Sequence, residues 1–345
     1  MAKVGVFIGR FQPFHRGHLA IIQKALETCD KLIIVVGSIN RARTIKNPWT
    51  FEERKALILA GLALNPLSPS LPHEGGGGFK GVILGVEDQM YNEGVWNGSV
   101  KALVISNTSP LDSIVLIGHD KDETTYYLKA FPEWGRLELA NYCQLNATPI
   151  REQYFSGKEV IEIEGLTQAS QRYLSEFRNT QHYSELQQEF NYIKSYKASW
   201  SKAPYPPMHV TTDAVVICNQ HILLVQRGHF PGKGLWALPG GFLEQKEWIW
   251  EGLIRELIEE TSIDLSVVQL KTYLVKTKVF DNPGRSQIGR VITNAGLFEI
   301  TGHPLPRIKA ADDAAAAKWL PLSEFWQISD QLHDDHYFIV KYLLE

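Results

Sequence analysis

The sequence predicts two folded units: an α/β unit built on a doubly wound parallel sheet and, after it, an α+β unit with a mixed sheet and helices. The chain has 345 residues, and a typical length of about 150 residues per domain indicates about two domains. The first part alternates apolar strands with helical stretches, which is typical of a parallel sheet covered on both faces. The last part instead places its strands around one strong helix.

Apolar runs without alternation predict the strands of the first unit, and stretches with helical periodicity predict its helices. The strands are predicted at Lys3–Gly9, Leu32–Gly37, Gly81–Val86, Ser113–Gly118 and Arg136–Tyr142. The helices are predicted at Gly17–Thr28, Thr50–Leu62 and Val95–Ile105. The segment Asn65–Gly81 contains three prolines and four consecutive glycines, so we expect a flexible surface loop there. This alternation of strands and helices indicates a Rossmann-like sheet.

A change of composition marks the predicted domain boundary. Residues from about Leu166 to Trp200 are polar and are expected to be helical, and the prolines from Pro204 to Pro207 end that helix. The predicted domains are therefore residues 1–180 and 208–345, joined by a helical and proline-rich linker at 181–207. In the second domain, strands are predicted at Val210–Cys218, Ile222–Gln226, Val268–Lys276, Val291–Ile300 and Ala316–Trp319, with the strong helix at Lys246–Thr261.

Composition and charge exclude several classes of protein. The chain has 35 Lys and Arg residues and 38 Asp and Glu residues, and a net charge of −3 does not favour nucleic-acid binding. Cys29, Cys143 and Cys218 lie far apart in the sequence, which favours a reducing compartment over a disulfide framework. Apolar runs such as Lys31–Gly37 are too short to span a membrane, and the first residues show no secretory signal. We therefore expect a cytoplasmic protein without nucleic-acid or membrane partners, and the composition leaves a homo-oligomer open.

A cluster of basic and small residues follows the first predicted strand. The segment Gly9–His18 lies between that strand and the next helix, where open parallel sheets bind ligands. His15 and His18 are separated by only two residues, so both rings can donate N–H groups to one phosphate chain. Gly17 permits a close approach of the backbone. The sequence has no P-loop and no dinucleotide-binding glycine motif, so neither a P-loop kinase nor a dehydrogenase is indicated.

Several stretches resemble one enzyme family. His15–His18 resembles the His-x-Gly-His signature of the nucleotidyltransferase superfamily, and the longer segment Gly9–His18 is similar to archaeal-type nicotinamide mononucleotide (NMN) adenylyltransferases. Asn47–Arg54 resembles the beginning of a helix in that family. Asp88–Trp96 resembles the family's nicotinamide-binding segment, and Asn146–Arg151 its second phosphate-binding motif.

The resemblance implies a reaction in which the phosphate of NMN attacks the α-phosphorus of ATP, giving NAD and pyrophosphate. Such a transfer depends on positioning and on charge stabilisation, in which His18, His15 and Arg151 are the implied catalytic residues and Mg²⁺ bridges phosphate oxygens. The residues implied to bind ATP and its phosphates are Gly9, Arg10, Phe11, His15, His18, Thr148 and Arg151. The residues implied to bind the mononucleotide are Asn92, Trp96 and Lys46, of which Trp96 would stack on the pyridinium ring.

A second motif lies on the strong helix of the second domain. Glu256, Glu259 and Glu260 are spaced at i, i+3 and i+4, so their carboxylates share one helical face. Three like charges at this spacing destabilise a helix unless a cation neutralises them. Hard oxygen ligands at this density suit Mg²⁺ or Mn²⁺ on a diphosphate. Arg255 can pair with Glu247 or with Glu259.

The spacing from Gly241 through Glu247 and Arg255 to the three glutamates resembles the Nudix box, with Ser262 in place of its final glycine. The resemblance implies a Nudix fold and hydrolysis of a nucleoside diphosphate that is linked to a second group, by water that a metal ion activates. The implied metal ligands are Glu256, Glu259 and Glu260, and the last two are the implied catalytic residues.

Together the two resemblances cover nearly the whole chain and are those of bacterial bifunctional NMN adenylyltransferase/Nudix hydrolases. The Nudix half of that family usually acts on ADP-ribose, which yields AMP and ribose 5-phosphate. Asp281, Arg285 and Arg290 lie in a segment similar to the family's substrate loop, so they are candidates for binding ADP-ribose. The expected small-molecule partners are thus ATP, NMN, NAD and ADP-ribose.

Alternatives remain open for both units from the sequence. The first unit could transfer the adenylyl or a related group to another acceptor, such as phosphopantetheine or a choline-like phosphate, although Asn92 with Trp96 suits a flat aromatic cation. The second unit could be a sensor that binds ADP-ribose without cleaving it, or a pyrophosphatase of dinucleotides such as NADH. The presence of all three box glutamates argues against a sensor.

Overall fold

The computed structural model describes residues 1–64, 80–118, 130–139 and 145–345. The chain divides into two compact units, Met1–Gln187 and Gln188–Glu345. The predicted fold class is confirmed, because the first unit has a parallel sheet and the second a mixed one. No helix in the described part of the chain is both long and apolar enough to cross a membrane. Cys29 and Cys218 are buried free thiols, whereas Cys143 lies outside the described residues.

The first unit has five parallel strands in the order β3-β2-β1-β4-β5. The strands are β1 (Lys3–Gly9), β2 (Lys31–Ile39), β3 (Gly81–Glu87), β4 (Ser113–Gly118) and β5 (Gly135–Glu138). The helices are α1 (Arg16–Leu26), α2 (Phe51–Ala63), α3 (Glu93–Ile105), α4 (Ala147–Phe155), α5 (Gln168–Phe177) and α6 (Gln181–Ser199), of which α6 contains the division between the two units.

Side chains of β1 alternate between the two faces of the sheet. Phe7 packs in the apolar cluster that α1 and α2 cover, whereas Val4, Val6 and Ile8 pack in the cluster on the α3 side. This burial on both faces explains why the strand is apolar without alternation. The strand order reverses beside β1, and the carboxyl ends of β1 and β4 border the crevice where such sheets bind ligands.

Most predicted elements of the first unit match the observed ones within three residues at either end. The predicted strand at residues 136–142 is described only to residue 139, and β5 ends at Glu138. The predicted loop at residues 65–81 lies outside the described residues except for its last two positions, so that expectation is not tested.

The second unit has a mixed sheet in the order β10-β11-β6-β7-β12, in which only the β6–β11 pair is parallel. The short strands β8 and β9 pair with β7 and β6. The strands are β6 (Met208–Cys218), β7 (His221–Arg227), β8 (Trp236–Ala237), β9 (Gly240–Phe242), β10 (Leu274–Phe280), β11 (Arg290–Ile300) and β12 (Ala314–Pro321). The helices are α7 (Ile249–Thr261), α8 (Val267–Tyr273), α9 (Leu322–Phe325) and α10 (His336–Leu344).

The strand predicted at residues 268–276 is wrong over most of its length, because residues 267–273 form α8 and the strand begins at Leu274. Ser266 Oγ accepts the Gln269 N–H at 3.3 Å, and Gln269 Oε1 accepts the Ser266 N–H at 2.9 Å. This capping box begins a helix that buries Leu270, and it outweighs the strand preference of the two valines that follow Ser266.

The residues predicted as a linker include part of the second unit. Glu189 Oε2 accepts the Gly232 N–H at 3.0 Å, and the Tyr196 hydroxyl lies 3.4 Å from His209 Nε2. The Trp200 ring also meets His209 edge-on, with 5.5 Å between ring centroids. We therefore propose that the second domain begins near residue 188.

A fragment of residues 188–345 is expected to unfold at a higher temperature than one of residues 203–345, which lacks Glu189, Tyr196 and Trp200. Loss of one buried hydrogen bond and of the aromatic contacts is worth about 2 kcal/mol, or roughly 5 °C in Tm for a domain of this size. Thermal unfolding followed by circular dichroism compares the two fragments, both of which contain α7. Equal Tm values would contradict this boundary.

Candidate active sites

Two histidines cap the helix that follows β1. His15 Nδ1 accepts the His18 N–H at 3.4 Å, and His18 Nδ1 accepts the His15 N–H at 3.3 Å. The two rings stack with 3.6 Å between their centroids. Since each Nδ1 accepts a hydrogen bond, each neutral ring has its proton on Nε2. The reciprocal cap thus fixes two Nε2–H donors at the N-terminus of α1, where the helix dipole also favours an anion.

Packing around the two rings explains the small and aromatic residues of the segment. A Cβ on Gly17 would lie 3.1 Å from the His15 ring, so glycine makes room for the stacked histidines. Phe11 is buried and meets the His18 ring edge-on at 4.8 Å between centroids. A Cβ on Gly9 would press on the Phe11 ring at 3.0 Å. The side chain of Phe11 therefore packs against the His18 ring and supports its position.

Arg151 joins three segments of the first unit. Its guanidinium donates to the Gln12 carbonyl at 2.6 Å, to the Ile45 carbonyl at 3.1 Å and to Thr148 Oγ1 at 3.0 Å. Burial, with the nearby charge of Arg10, lowers the pKa of Arg151 to about 10, so the side chain remains a cation at neutral pH. The structure thus brings Thr148 and Arg151 to the segment that follows β1, as the motif resemblance implies.

Sequence reasoning gave no site role to Arg54, although the side chain is only 1% exposed. It donates to the carbonyl oxygens of Arg10, Gly37 and Ser38 at 2.8, 2.7 and 3.1 Å. Burial lowers the pKa of Arg54 to about 10. Arg54 therefore fixes the ends of β1 and β2 from within α2. The available signal was an arginine among the apolar residues of a predicted helix.

The residues assigned to the mononucleotide lie in two places. Asn92 is the N-cap of α3, and its Oδ1 accepts the Val95 N–H at 3.2 Å. Trp96 lies one turn further on, half-buried, with its ring centroid 6.4 Å from that of Phe131. The structure therefore brings Asn92 and Trp96 together on one helix. Lys46 lies half-buried between β2 and α2.

Arg255 lies at the centre of the candidate site in the second unit. It donates to both oxygens of Glu247, at 2.9 and 2.6 Å, and to Glu256 and Glu259 at 2.8 and 2.9 Å. The sequence predicted a pair with Glu247 or Glu259, and the structure shows both. These bonds, that to Glu247 above all, raise the pKa of Arg255. Arg255 therefore holds the acidic face of α7 together.

The remaining carboxylate, Glu260, is bound by the first residue of β9. Its Oε2 accepts the Gly240 N–H at 2.9 Å, and burial, with the charge of Glu256, raises the pKa of Glu260 to about 8. Burial also raises the pKa of Glu256. A Cβ on Gly241 would lie 2.5 Å from Glu256 Oε1. A larger residue at position 241 would therefore displace the Glu256 carboxylate.

The donor set of α7 fits a hard divalent cation. Within the described ranges no three His, Cys, Asp or Glu side chains converge into a ready metal site, because Arg255 and Gly240 bind the glutamates individually. The raised pKa values of Glu256 and Glu260 show that their negative charges are only partly compensated. A divalent cation would supply that compensation.

Ser262, which replaces the final glycine of the box, adopts the left-handed conformation that glycine favours. Its φ and ψ are 42° and 38°, and its N–H donates to the Ile258 carbonyl at 2.8 Å. The end of α7 is therefore preserved, at the cost of strain in a non-glycine residue.

Ser262→Gly is expected to stabilise the second unit by about 1 kcal/mol, because glycine adopts this conformation without strain. Calorimetry of the full chain, following the transition that Mg²⁺ shifts, measures the effect. Ser262→Ala is the control and is expected not to stabilise. A lower transition temperature for the glycine variant would contradict the prediction.

The three candidates for ADP-ribose binding differ in position. Arg285 is buried, and its Nε and Nη2 donate to the two oxygens of Asp335, each at 2.9 Å. The guanidinium of Arg290 donates to the carbonyl oxygen of Asp281, whose side chain is exposed. The structure thus brings Asp281 and Arg290 together and places Arg285 in a separate buried ion pair.

Comparisons with known proteins match both units of the chain. The cytidylyltransferase-like family model matches residues 6–63, and the NUDIX domain model matches residues 207–342. The chain is 40% identical over 186 residues to a nicotinamide/nicotinic acid mononucleotide adenylyltransferase from Acinetobacter baylyi, an alignment that covers 54% of this chain and 92% of the relative.

Two crystal structures from Francisella tularensis match the whole chain. A bifunctional NMN adenylyltransferase/ADP ribose pyrophosphatase is 42% identical with a TM-score of 0.92, and the match covers 100% of this chain and 99% of that one. The same kind of enzyme complexed with AMP and a Mn ion is 41% identical with a TM-score of 0.91 and the same coverage. These matches favour two enzymatic units over a sensor, and the chain belongs to the family of bifunctional NMN adenylyltransferase/ADP-ribose pyrophosphatases.

Proposed function

We propose that the first unit joins NMN to the adenylyl group of ATP, with NAD and pyrophosphate as products. The reciprocal cap of His15 and His18 supports this most directly, because it fixes two donors at a helix N-terminus beside the carboxyl end of β1. A phosphate oxygen of NMN attacks the α-phosphorus, and the bond to the pyrophosphate oxygen breaks. Donors that are in place beforehand stabilise the charge on the phosphate oxygens during this transfer.

Each residue of the first site has a proposed role. His18 donates to the α-phosphate in the transition state, while His15 and Arg10 bind the departing pyrophosphate. Arg151 orders the segment after β1 through the Gln12 carbonyl, and its positive charge attracts the triphosphate. The remaining roles follow the family resemblance: Thr148 and the backbone of Gly9 and Phe11 at the phosphates, and Asn92, Trp96 and Lys46 at the mononucleotide.

The second unit is proposed to hydrolyse ADP-ribose to AMP and ribose 5-phosphate. The Arg255-centred carboxylates of α7 support this, with Glu256, Glu259 and Glu260 as the residues that would bind Mg²⁺ or Mn²⁺. A bound divalent cation supplies charge neutralisation at the diphosphate and lowers the pKa of water. Arg255 orients Glu256 and Glu259, and the Gly240 N–H orients Glu260.

The second unit is expected to cleave ADP-ribose with a much higher kcat/KM than NAD. Both molecules contain the same adenosine diphosphate, so selectivity has to arise at the far end, where ADP-ribose has a free anomeric hydroxyl and NAD a bulky cation. A site whose polar groups bond that hydroxyl and become buried under the substrate loses those bonds with NAD. We propose Asp281 and Arg290 as the source of these contacts, because Arg290, at the beginning of β11, bonds the Asp281 carbonyl oxygen.

A comparison of kcat/KM for ADP-ribose and for NAD at equal Mg²⁺ tests this selectivity. A ratio near one would indicate that the second unit is a dinucleotide pyrophosphatase instead.

For the protein as a whole we propose that small nucleotides are the partners and that the location is cytoplasmic. We propose no nucleic-acid or membrane partner, and the proposal is compatible with a homo-oligomer.

A further inference from the structure

A buried polar cluster lies in the second unit outside the Nudix box. Its members are Asp213, Arg285, Thr293, Asp335 and His336, and none is more than 6% exposed. They come from β6, the segment before β11, β11 itself and the beginning of α10. Burying this many polar groups is costly unless each is bonded, so the bonds within the cluster indicate what it positions.

The cluster is joined by short polar contacts. Arg285 donates to both oxygens of Asp335, and its Nη2 lies 3.6 Å from Asp213 Oδ2. Thr293 Oγ1 donates to the same Asp213 oxygen at 2.6 Å. The other oxygen, Oδ1, lies 3.7 Å from His336 Nε2. The Nε2 side of His336 therefore faces the Asp213 carboxylate, whose other oxygen accepts the bond from Thr293.

The opposite edge of the His336 ring contacts the loop that leads into the Nudix box. His336 Nδ1 accepts the Leu238 N–H at 2.8 Å. Burial lowers the pKa of His336, so the ring is neutral and can accept this bond. Leu238 is itself buried, so its N–H would be left without a partner if the ring were removed.

Two residues after Leu238, the first residue of β9 binds a box carboxylate. The Pro239 carbonyl accepts the Ala214 N–H at 2.8 Å, and the Gly240 N–H donates to Glu260 Oε2 at 2.9 Å. Gly240 lies close against β6, because a Cβ at this position would lie 2.1 Å from the Thr212 carbonyl oxygen and 2.7 Å from Asp213 Oδ1. The position of Glu260 thus depends on a loop whose beginning is set by His336.

We propose that His336 is a positioning residue for the hydrolysis of ADP-ribose: by accepting the Leu238 N–H, it fixes the loop whose Gly240 N–H orients Glu260. His336 does not touch the reacting atoms. The inference rests on the proposed hydrolase function of the second unit.

Kinetics of the full chain with ADP-ribose and Mg²⁺ test the proposal. His336→Leu removes the acceptor but keeps an apolar volume, and we expect kcat to fall about tenfold, because even a small displacement of Glu260 slows the reaction. KM for ADP-ribose is expected to change less than about threefold, whereas more Mg²⁺ is needed for half-maximal activity because Glu260 is less well oriented. His336→Asn, whose amide oxygen can lie where Nδ1 lies, is expected to restore most of kcat.

NAD synthesis by the same variants is the internal control and is expected to be unchanged. If His336→Leu does not fold, His336→Gln replaces it, because its longer side chain moves the acceptor away from Leu238. Wild-type kcat in the Leu or Gln variant, or equal losses of kcat in the Asn and Leu variants, would overturn the inference about His336 but not the proposed function. A wild-type chain that does not hydrolyse ADP-ribose would overturn the proposed function and the inference with it.

Discussion

His18→Ala is expected to lower the rate of NAD synthesis about 100- to 1,000-fold, the usual cost of removing one donor aimed at a transition-state oxygen. The structure supports this, because the reciprocal cap with His15 leaves the proton of the His18 ring on Nε2. Initial rates of NAD formation from ATP and NMN measure the effect, and hydrolysis of ADP-ribose by the same variant is expected to be unchanged.

A second variant separates the donor from the helix cap. His18→Asn can still accept the His15 N–H through its amide, but it has no group at the Nε2 position. Both variants are therefore expected to lose synthesis, whereas only the alanine variant loses the cap, which is worth about 1 kcal/mol of stability. Near-wild-type synthesis in either variant would show that His18 does not act on the phosphates.

Glu260→Gln is expected to lower hydrolysis of ADP-ribose about 1,000-fold, because a neutral amide removes much of the charge that would bind the metal ion.

The Glu260→Gln change is also expected to stabilise the metal-free second unit at high pH. The pKa of Glu260 is raised from 4.5 to about 8 by burial, so the folded unit favours the protonated carboxyl. That contribution to stability is lost as the pH rises from about 4.5 to about 8.

Unfolding of the full chain in EDTA at about pH 5 and about pH 9 measures the stability effect. The Gln variant and the wild type are expected to differ little at the lower pH, while the variant has the higher transition temperature at the upper pH. Glu259→Gln is the matched control, because Glu259 is exposed and should lose hydrolysis without gaining stability. Full hydrolysis by both variants would place the metal ion elsewhere.

Local patterns were sufficient to predict most of the fold. The first strand, β1, and β4 were predicted at their observed ends, since strands buried on both faces are apolar throughout. The helix α8 was predicted as a strand, because its two valines favour strands and its capping box involves only Ser266 and Gln269. A single short cap is a weak signal beside a β-branched pair.

In the sites too, contacts between residues near in sequence could be predicted, whereas contacts between distant residues could not. The proximity of His15 to His18 and the ion pair of Arg255 with Glu259 could be predicted, because these partners lie three and four residues apart in the sequence. The sequence did not indicate that Arg285 bonds Asp335 or that His336 bonds Leu238, because these partners lie 50 and 98 residues apart. No periodicity or motif in a single sequence indicates which residues meet over such distances.

The central claim is that one chain has two separate active sites, one that makes NAD and one that cleaves ADP-ribose. The most direct test is chromatographic analysis of the products that the purified full chain forms with Mg²⁺. We expect NAD and pyrophosphate from ATP and NMN, and AMP and ribose 5-phosphate from ADP-ribose. NAD supplied as the only substrate is expected to remain intact. Failure to form either pair of products, or rapid loss of NAD, would contradict the account.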